Sequence, residues 1–351
     1  MRRAKIHYLI AFVLSSILSV GYAEVNFGDA PAAMNAVSAL PVVRVDGNRF
    51  VGESGETMVF RGLALADPYH LDKSGKWTRE YFEAARSWNA NIVRIPVHPA
   101  CWRDWGSAKY IRMIDDAVAW ASDLGLYVII DWHTIGNPQN GVAHRPSYLT
   151  TREETFNFWY LMANRYRNSP TVAFFDLFNE PTNRRGMMGT LTWEFHKSYM
   201  EELILMIHWI DPSKIVLVAG FDWAYELRNA GADPIEAENV AYVTHPYPQK
   251  RPEPWEGHWQ EDWGFLAERF PIMATEFGFM SADGPGAHSP VIADERYGEA
   301  LIRFFNERGI SWTAWVFDPQ WSPQLIEDWD YTPTAQGQYF RDVLMRDNPR
   351  Q

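Results

Sequence analysis

The chain has 351 residues, 47% of them apolar and 17 of them tryptophan, so it can bury a full core and fits one large domain or two modest ones. A formal charge of −12 at pH 7 sets nucleic acid aside as a partner, because phosphate binding needs a basic face. Cys101 is the sole cysteine, which excludes an intrachain disulfide and leaves stability to the core.

The chain opens with Arg2, Arg3 and Lys5, an apolar stretch over residues 8–20, and Gly21-Tyr22-Ala23, whose small first and third residues suit signal peptidase. Residues 1–23 read as a secretion signal cleaved near Ala23, since the apolar stretch falls short of the roughly 20 residues that span a bilayer. Cleavage removes three positive charges and takes the formal charge from −12 to −15. The expected product is an acidic secreted protein, extracellular or periplasmic, not held in a membrane and acting as a monomer. Residues 24–40 are small and weakly patterned, a poorly ordered lead-in to a single domain over 41–351.

The segment VVRVDGNRFVGESGETMVFRG alternates apolar and polar residues around Asp46-Gly47 and Ser54-Gly55, which predicts a hairpin feeding a further strand. Strands are then predicted over 58–63, 91–96, 127–131, 173–178, 215–219, 240–244, 272–275 and 311–316. Helix-period stretches such as REYFEAARSW, YIRMIDDAVAWASDLG and EETFNFWYLMANRYR separate them. Short, continuously apolar strands alternating with helices imply a parallel sheet covered by helices. Eight such units predict an α/β fold of the (β/α)8 TIM barrel type, with the hairpin closing its lower end. An open doubly wound sheet would announce a glycine-rich turn after its first strand, and Arg61-Gly62-Leu63-Ala64-Leu65-Ala66 has no such spacing.

Active sites of such barrels form at the carboxyl ends of the strands, and reactive residues recur there on nearly every strand. Arg94 falls in NIVRIPVH, His133 in IIDWHT, Asn179 and Glu180 in LFNEP, Trp223 in AGFDWAYE, His245 and Tyr247 in VTHPYP, Glu276 in ATEFG, and Trp315 in TAWVF. Glu180 and Glu276 each end an apolar run, so two carboxylates arrive from two different strands. Retaining glycoside hydrolysis needs such a pair about 5 to 5.5 Å apart, one protonated and one ionised. Arg94 is the expected cation beside Glu276, and the Tyr247 hydroxyl an expected donor to it. Adjacent residues of a regular strand face opposite ways, so Asn179 and Glu180 can reach one substrate only if the strand ends in an irregularity such as a bulge.

In these residues the chain resembles glycoside hydrolase family 5, within the clan whose acid/base ends strand four and whose nucleophile ends strand seven. The likeness spans roughly residues 42–344. Asn179-Glu180-Pro181 matches the Asn-Glu-Pro signature, and Arg94, His133, the His245-x-Tyr247 pair, Glu276 and Trp315 follow in order. The resemblance implies that Glu180 is the general acid/base and Glu276 the nucleophile, with Asn179 on the sugar's 2-hydroxyl. It implies cleavage of a β-1,4-glucan, and leaves β-mannan, xyloglucan and β-1,3-glucan open, as well as exo action if a loop closes one end. The loops at 137–150, after strand six and at 281–294 are long enough to wall off subsites. A catalytically silent sugar-binding barrel would show a missing carboxylate, and neither is missing.

His133 and His245 could be core histidines or zinc ligands, but no His-Glu-x-x-His or cysteine cluster exists. Sugar hydrogen bonding is the expectation for both, with no metal and no cofactor. Asp131 is expected to brace the sheet or orient a neighbour. Trp88, Trp120, Trp159 and Trp209 lie in helical stretches and read as core. Trp223, Trp315 and Trp321 fall at or beyond strand ends, where an indole can stack on a sugar, Trp315 foremost. Trp255, Trp259 and Trp263 are left between lining subsites and pinning a loop. Cys101 reads as a small buried apolar residue.

Overall fold

The computed structural model describes residues 40–349. The proposed signal and nearly all of the proposed lead-in lie outside the described residues. Eight parallel strands close into a barrel in chain order: Arg61–Ala64, Ile92–Val97, Tyr127–Trp132, Val172–Asp176, Ile215–Ala219, Val240–Val243, Ile272–Ala274 and Ser311–Ala314. The last pairs back onto the first through Trp312 opposite Arg61 and Ala314 opposite Leu63. Nearly every strand residue is buried on both sides, as a barrel lined inside by side chains and covered outside by helices requires. Gly62 permits the closest approach, because a Cβ there would lie 1.8 Å from the Ile92 carbonyl oxygen.

Each predicted strand has its counterpart, displaced by a few residues at most. The largest difference is in the first, where the run from Met58 is split. Thr57–Met58 completes a three-stranded antiparallel sheet with Arg44–Asp46 and Arg49–Val51, and the barrel strand begins only at Arg61. This small sheet closes the amino-terminal end of the barrel. Phe50 meets Phe60 at 5.6 Å and Phe174 at 5.3 Å, both edge to face, and Phe60 meets Tyr127 at 5.1 Å. The closure leaves the other end as the open mouth.

The outer helices start where side chains satisfy free backbone donors. Thr151, Thr192, Asp294 and Thr334 each accept a hydrogen bond from a first-turn amide of Arg152–Arg165, Trp193–Ile210, Glu295–Arg308 and Ala335–Asp347. Trp88 and Trp159 are buried and Trp120 is packed against the core, but Trp209 is 58% exposed. Its indole stands near the carboxyl end of Trp193–Ile210 on the solvent side, so helical periodicity alone misassigned it. No described helix is long and apolar enough to cross a membrane.

Candidate active site

At the mouth, the fourth barrel strand ends at Asp176 and the chain re-pairs three residues later. The amide of Asn179 donates to the Trp132 carbonyl at 3.2 Å and that of Glu180 to the Thr134 carbonyl at 3.0 Å. In a regular parallel ladder, amides facing the same neighbour are spaced two apart. Two consecutive amides facing one strand are the local irregularity that lets both side chains turn into the mouth. Glu180–Pro181 then joins Ile135–Asn137 and Val142–Ala143 in a small sheet raised above the barrel.

Arg94 is fully buried and anchors the site. Its guanidinium donates to Glu276 at 2.8 Å, to Asp176 at 2.9 and 3.1 Å and to Asn179 Oδ1 at 2.7 Å, and lies 3.0 Å from Asp131. Burial works against this cation, but the charges of Asp131, Asp176 and Glu276 outweigh it and hold the proton more firmly than in water. Asn179 therefore has its oxygen committed, while its buried Nδ2 has no partner among the described residues. Tyr247 donates to the far oxygen of Glu276 at 3.3 Å.

His245 stands between the two glutamates. Its Nδ1 is 3.0 Å from Glu180 and 3.9 Å from Glu276, and its Nε2 is 2.9 Å from the Thr275 hydroxyl. Burial depresses its pKa to about 4, so at neutral pH the ring carries no charge. Burial also raises Glu180 to about 7, opposed by Lys250 and Arg94. Glu276 is raised too, again by burial, against the pull of Arg94. One donor atom from each of Glu180, His245 and Glu276 lies within 4.8 Å of the others. Arg94 already occupies Glu276, and both nitrogens of His245 are engaged within the protein, so this convergence fits a proton-handling site better than a cage for a cation.

Trp315 forms one wall. Its ring is parallel to that of His133, with centroids 5.5 Å apart, and stacks beside Trp321 at 6.0 Å. His133 is fixed by Asp131 at 2.6 Å and kept neutral by burial, so Asp131 does orient neighbours, namely His133 and Arg94. Trp223 sits apart from this wall, half-buried, in a turn where Asp222, Trp223 and Ala224 all have positive φ. Trp255, Trp259 and Trp263 pack against the core, Trp255 and Trp259 with Tyr297 and Trp263 with Phe304, so they pin the loop and do not line the mouth. Cys101 is buried with its thiol pushed up by desolvation, and the His70 ring nitrogen lies 3.9 Å from its sulfur.

Several contributors were missed in the sequence. Asp176 was visible as a lone acid within AFFDLF, and a buried acid in one strand with a buried arginine in another is itself a pairing signal. His98, held by Asp67 at 2.8 Å, and Tyr148 stand beside His133. Lys250 and Asp222 flank Trp223. Tyr148, Lys250 and Asp222 come from the segments beyond the strand ends, where spacing carries no signal, whereas His98 directly follows Ile92–Val97 and was open to the same strand-end reasoning.

Comparison with known proteins bears on the family and the fold. Residues 51–320 match the sequence model described as Cellulase (glycosyl hydrolase family 5). Endoglucanase 5 of Pectobacterium carotovorum is 26% identical over 303 residues, covering 81% of this chain and 52% of that protein. Endoglucanase E-5 of Thermobifida fusca is 28% identical, covering 83% and 58%. The chain thus spans about half the length of the curated relatives it matches. Among solved structures, the β-glucanase SdGluc5_26A of Saccharophagus degradans, crystallised with cellotetraose, superposes with a TM-score of 0.89 at 42% identity, covering 90% of this chain and 96% of that one. With the family match covering most of the barrel, this chain belongs to glycosyl hydrolase family 5.

Proposed function

We propose that the protein is a secreted, monomeric, retaining endo-β-glucanase that cleaves β-1,4-glucan through a covalent glycosyl-enzyme intermediate. The observation that carries this reading is the acidic pair. Glu180 and Glu276 come within 4.8 Å at the mouth, the first with a proton affinity near neutrality and the second bonded to a guanidinium. That spacing lies on the short side of the carboxyl separations of glycosidases, far below the roughly 6.5 to 9.5 Å of inverting enzymes, and fits double displacement.

In the first step the Glu276 carboxylate attacks the anomeric carbon while Glu180 gives its proton to the departing glycosidic oxygen. In the second, Glu180 takes a proton from water, which displaces Glu276 from the sugar. Arg94 and Tyr247 hold Glu276 in line, and Arg94 turns the free amide of Asn179 towards a sugar hydroxyl. Trp315 offers an indole face to the reacting ring. His245, neutral, keeps Glu180 in place without taking its proton permanently. The glucan substrate is supported by the cellotetraose complex of the Saccharophagus protein. Secretion rests on the pattern of residues 1–23 alone.

The test is a product profile of the protein without residues 1–23 on carboxymethyl-cellulose, mixed-linkage glucan, β-mannan, xyloglucan and laminarin, with and without chelator. Rapid viscosity loss on a β-1,4-containing glucan, indifferent to chelator, with the β-anomer released first, is the expected result. Initial release of the α-anomer would overturn the retaining mechanism, and turnover confined to mannan or laminarin would overturn the substrate.

A further inference from the structure

Lys250, on the loop after the sixth strand, reaches back to the turn that follows the neighbouring fifth strand. Its ammonium donates to the Asp222 carbonyl at 2.6 Å, lies 3.4 Å from the Asp222 carboxylate, and sits 4.8 Å above the Trp223 ring. The backbone it touches is unusual, three consecutive non-glycine residues in the left-handed region. Such a stretch persists only where its surroundings over-determine it. Here the Phe221 and Glu226 amides and carbonyls bond each other at 3.1 and 3.2 Å, the His245 amide donates to Ala224 at 2.8 Å, and Gly220 admits the Glu226 carbonyl where a Cβ would lie 1.9 Å away. Lys250 supplies the side-chain bond to the left-handed residues themselves. The turn packs directly on Glu180–Pro181.

We propose that Lys250 is a positioning residue of this site, holding Trp223 as a platform with one free face for the leaving-group sugar and setting, with Asp222, a pair of opposite charges on the turn that packs against Glu180. With the ammonium on one face of the indole, a sugar can stack only on the other. Lys250 opposes protonation of Glu180 more strongly than Arg94 does, and Asp222 favours it. The two neighbours therefore act in opposite senses. The other charged or titratable groups around Glu180 are Arg94, Asp131, Tyr148, His245, Tyr247 and Glu276, with Arg185 acting on Lys250. None of these is altered by substitution at 250 or 222.

This inference rests on the acid/base role proposed for Glu180, and the experiment separates the two. The Glu180 carboxyl is titrated by carbon NMR in the parent, K250M and D222N, with Glu180→Gln for assignment, and kcat/KM is followed against pH on cellotetraose. Removing the ammonium should raise the Glu180 midpoint by about one pH unit, and removing the Asp222 charge should lower it. The alkaline limb of kcat/KM should move the same way in each variant. K250M should also raise KM for cellotetraose several-fold while K250R restores both readouts. Coincident titrations in all three proteins, or shifts of the same sign, would overturn the inference. So would a loss of activity in K250M with the limb unmoved. A parent that hydrolyses no glucan would refute the proposed function, while the titration would still judge Lys250. K250Q serves if K250M does not fold.

Discussion

Glu276 and Glu180 are the same residue type, 5% and 8% exposed, yet they answer to different neighbours. Glu276 belongs to a dense ionic network, with a guanidinium at 2.8 Å that is itself held by Asp176 and Asp131. Glu180 faces an uncharged imidazole at 3.0 Å, and its cations act from further off. Desolvation raises both carboxyls, so burial alone cannot tell them apart. The difference lies in contact: a bonded cation prepares one carboxylate to attack, and a neutral partner leaves the other free to hold a proton.

The strongest way to break this contrast is Glu276→Gln. If Glu276 is the nucleophile, kcat should fall by roughly 10⁵-fold or more, and cellotetraose should still bind with near-parental affinity by calorimetry. Activity within tenfold of the parent would remove Glu276 from that role. Glu180→Ala should act more selectively. Loss of the proton donor should cost about 10² to 10⁴-fold on cellotetraose and far less on a dinitrophenyl cellobioside, whose leaving group needs no protonation. Equal losses on the two substrates would mean that Glu180 does something else.

Glu180→Gln sharpens the comparison through stability. Its folded-state pKa of about 7 exceeds the ordinary 4.5, so the native protein binds the proton more tightly than the unfolded chain. Its contribution is fully present below pH 4.5 and is lost as pH rises through 7. At 1.36 kcal/mol per pH unit the gap is about 3 kcal/mol. Denaturant unfolding should find Glu180→Gln matching the parent at pH 4 and more stable by up to about 3 kcal/mol at pH 8. A constant difference between the two pH values would contradict the assignment.

The barrel was legible because its strands are short apolar runs punctuated by amphipathic helices, a pattern that burial on both faces dictates. Its bottom closure was legible too, although one run of residues serves both the small sheet and the first barrel strand. The site was legible where a polar residue ends an apolar run, as Glu180, His245 and Glu276 do, or interrupts one, as Arg94 does within Ile92–Val97. It was not legible where function comes from the loops around the mouth. Lys250, Asp222 and Tyr148 obey no period, and only the folded chain brings them beside the glutamates. Tryptophan was ambiguous for the opposite reason. The same residue serves the core at Trp159, a loop pin at Trp259, the mouth at Trp315 and the solvent at Trp209, and helical or loop context does not separate these uses.

The mildest test concerns the second contact of Glu276. Tyr247 is buried, its hydroxyl is pushed up by desolvation and by the two glutamates, and it therefore keeps its proton and can donate it to a hydrogen bond at any working pH. A bond from a neutral hydroxyl to a carboxylate contributes about 1.5 to 3 kcal/mol at good geometry, and at 3.3 Å the lower end applies. Tyr247→Phe should thus reduce kcat/KM about tenfold, since 1.36 kcal/mol is one decade. Because the phenol stabilises the ionised form of Glu276, its removal should also move the acid limb of the pH profile upward, the limb on which Glu276 must lose its proton. The alkaline limb, set by Glu180, should stay in place. A shift of the alkaline limb instead would show that Tyr247 serves the acid rather than the nucleophile, and the division between the two carboxylates would then have to be redrawn.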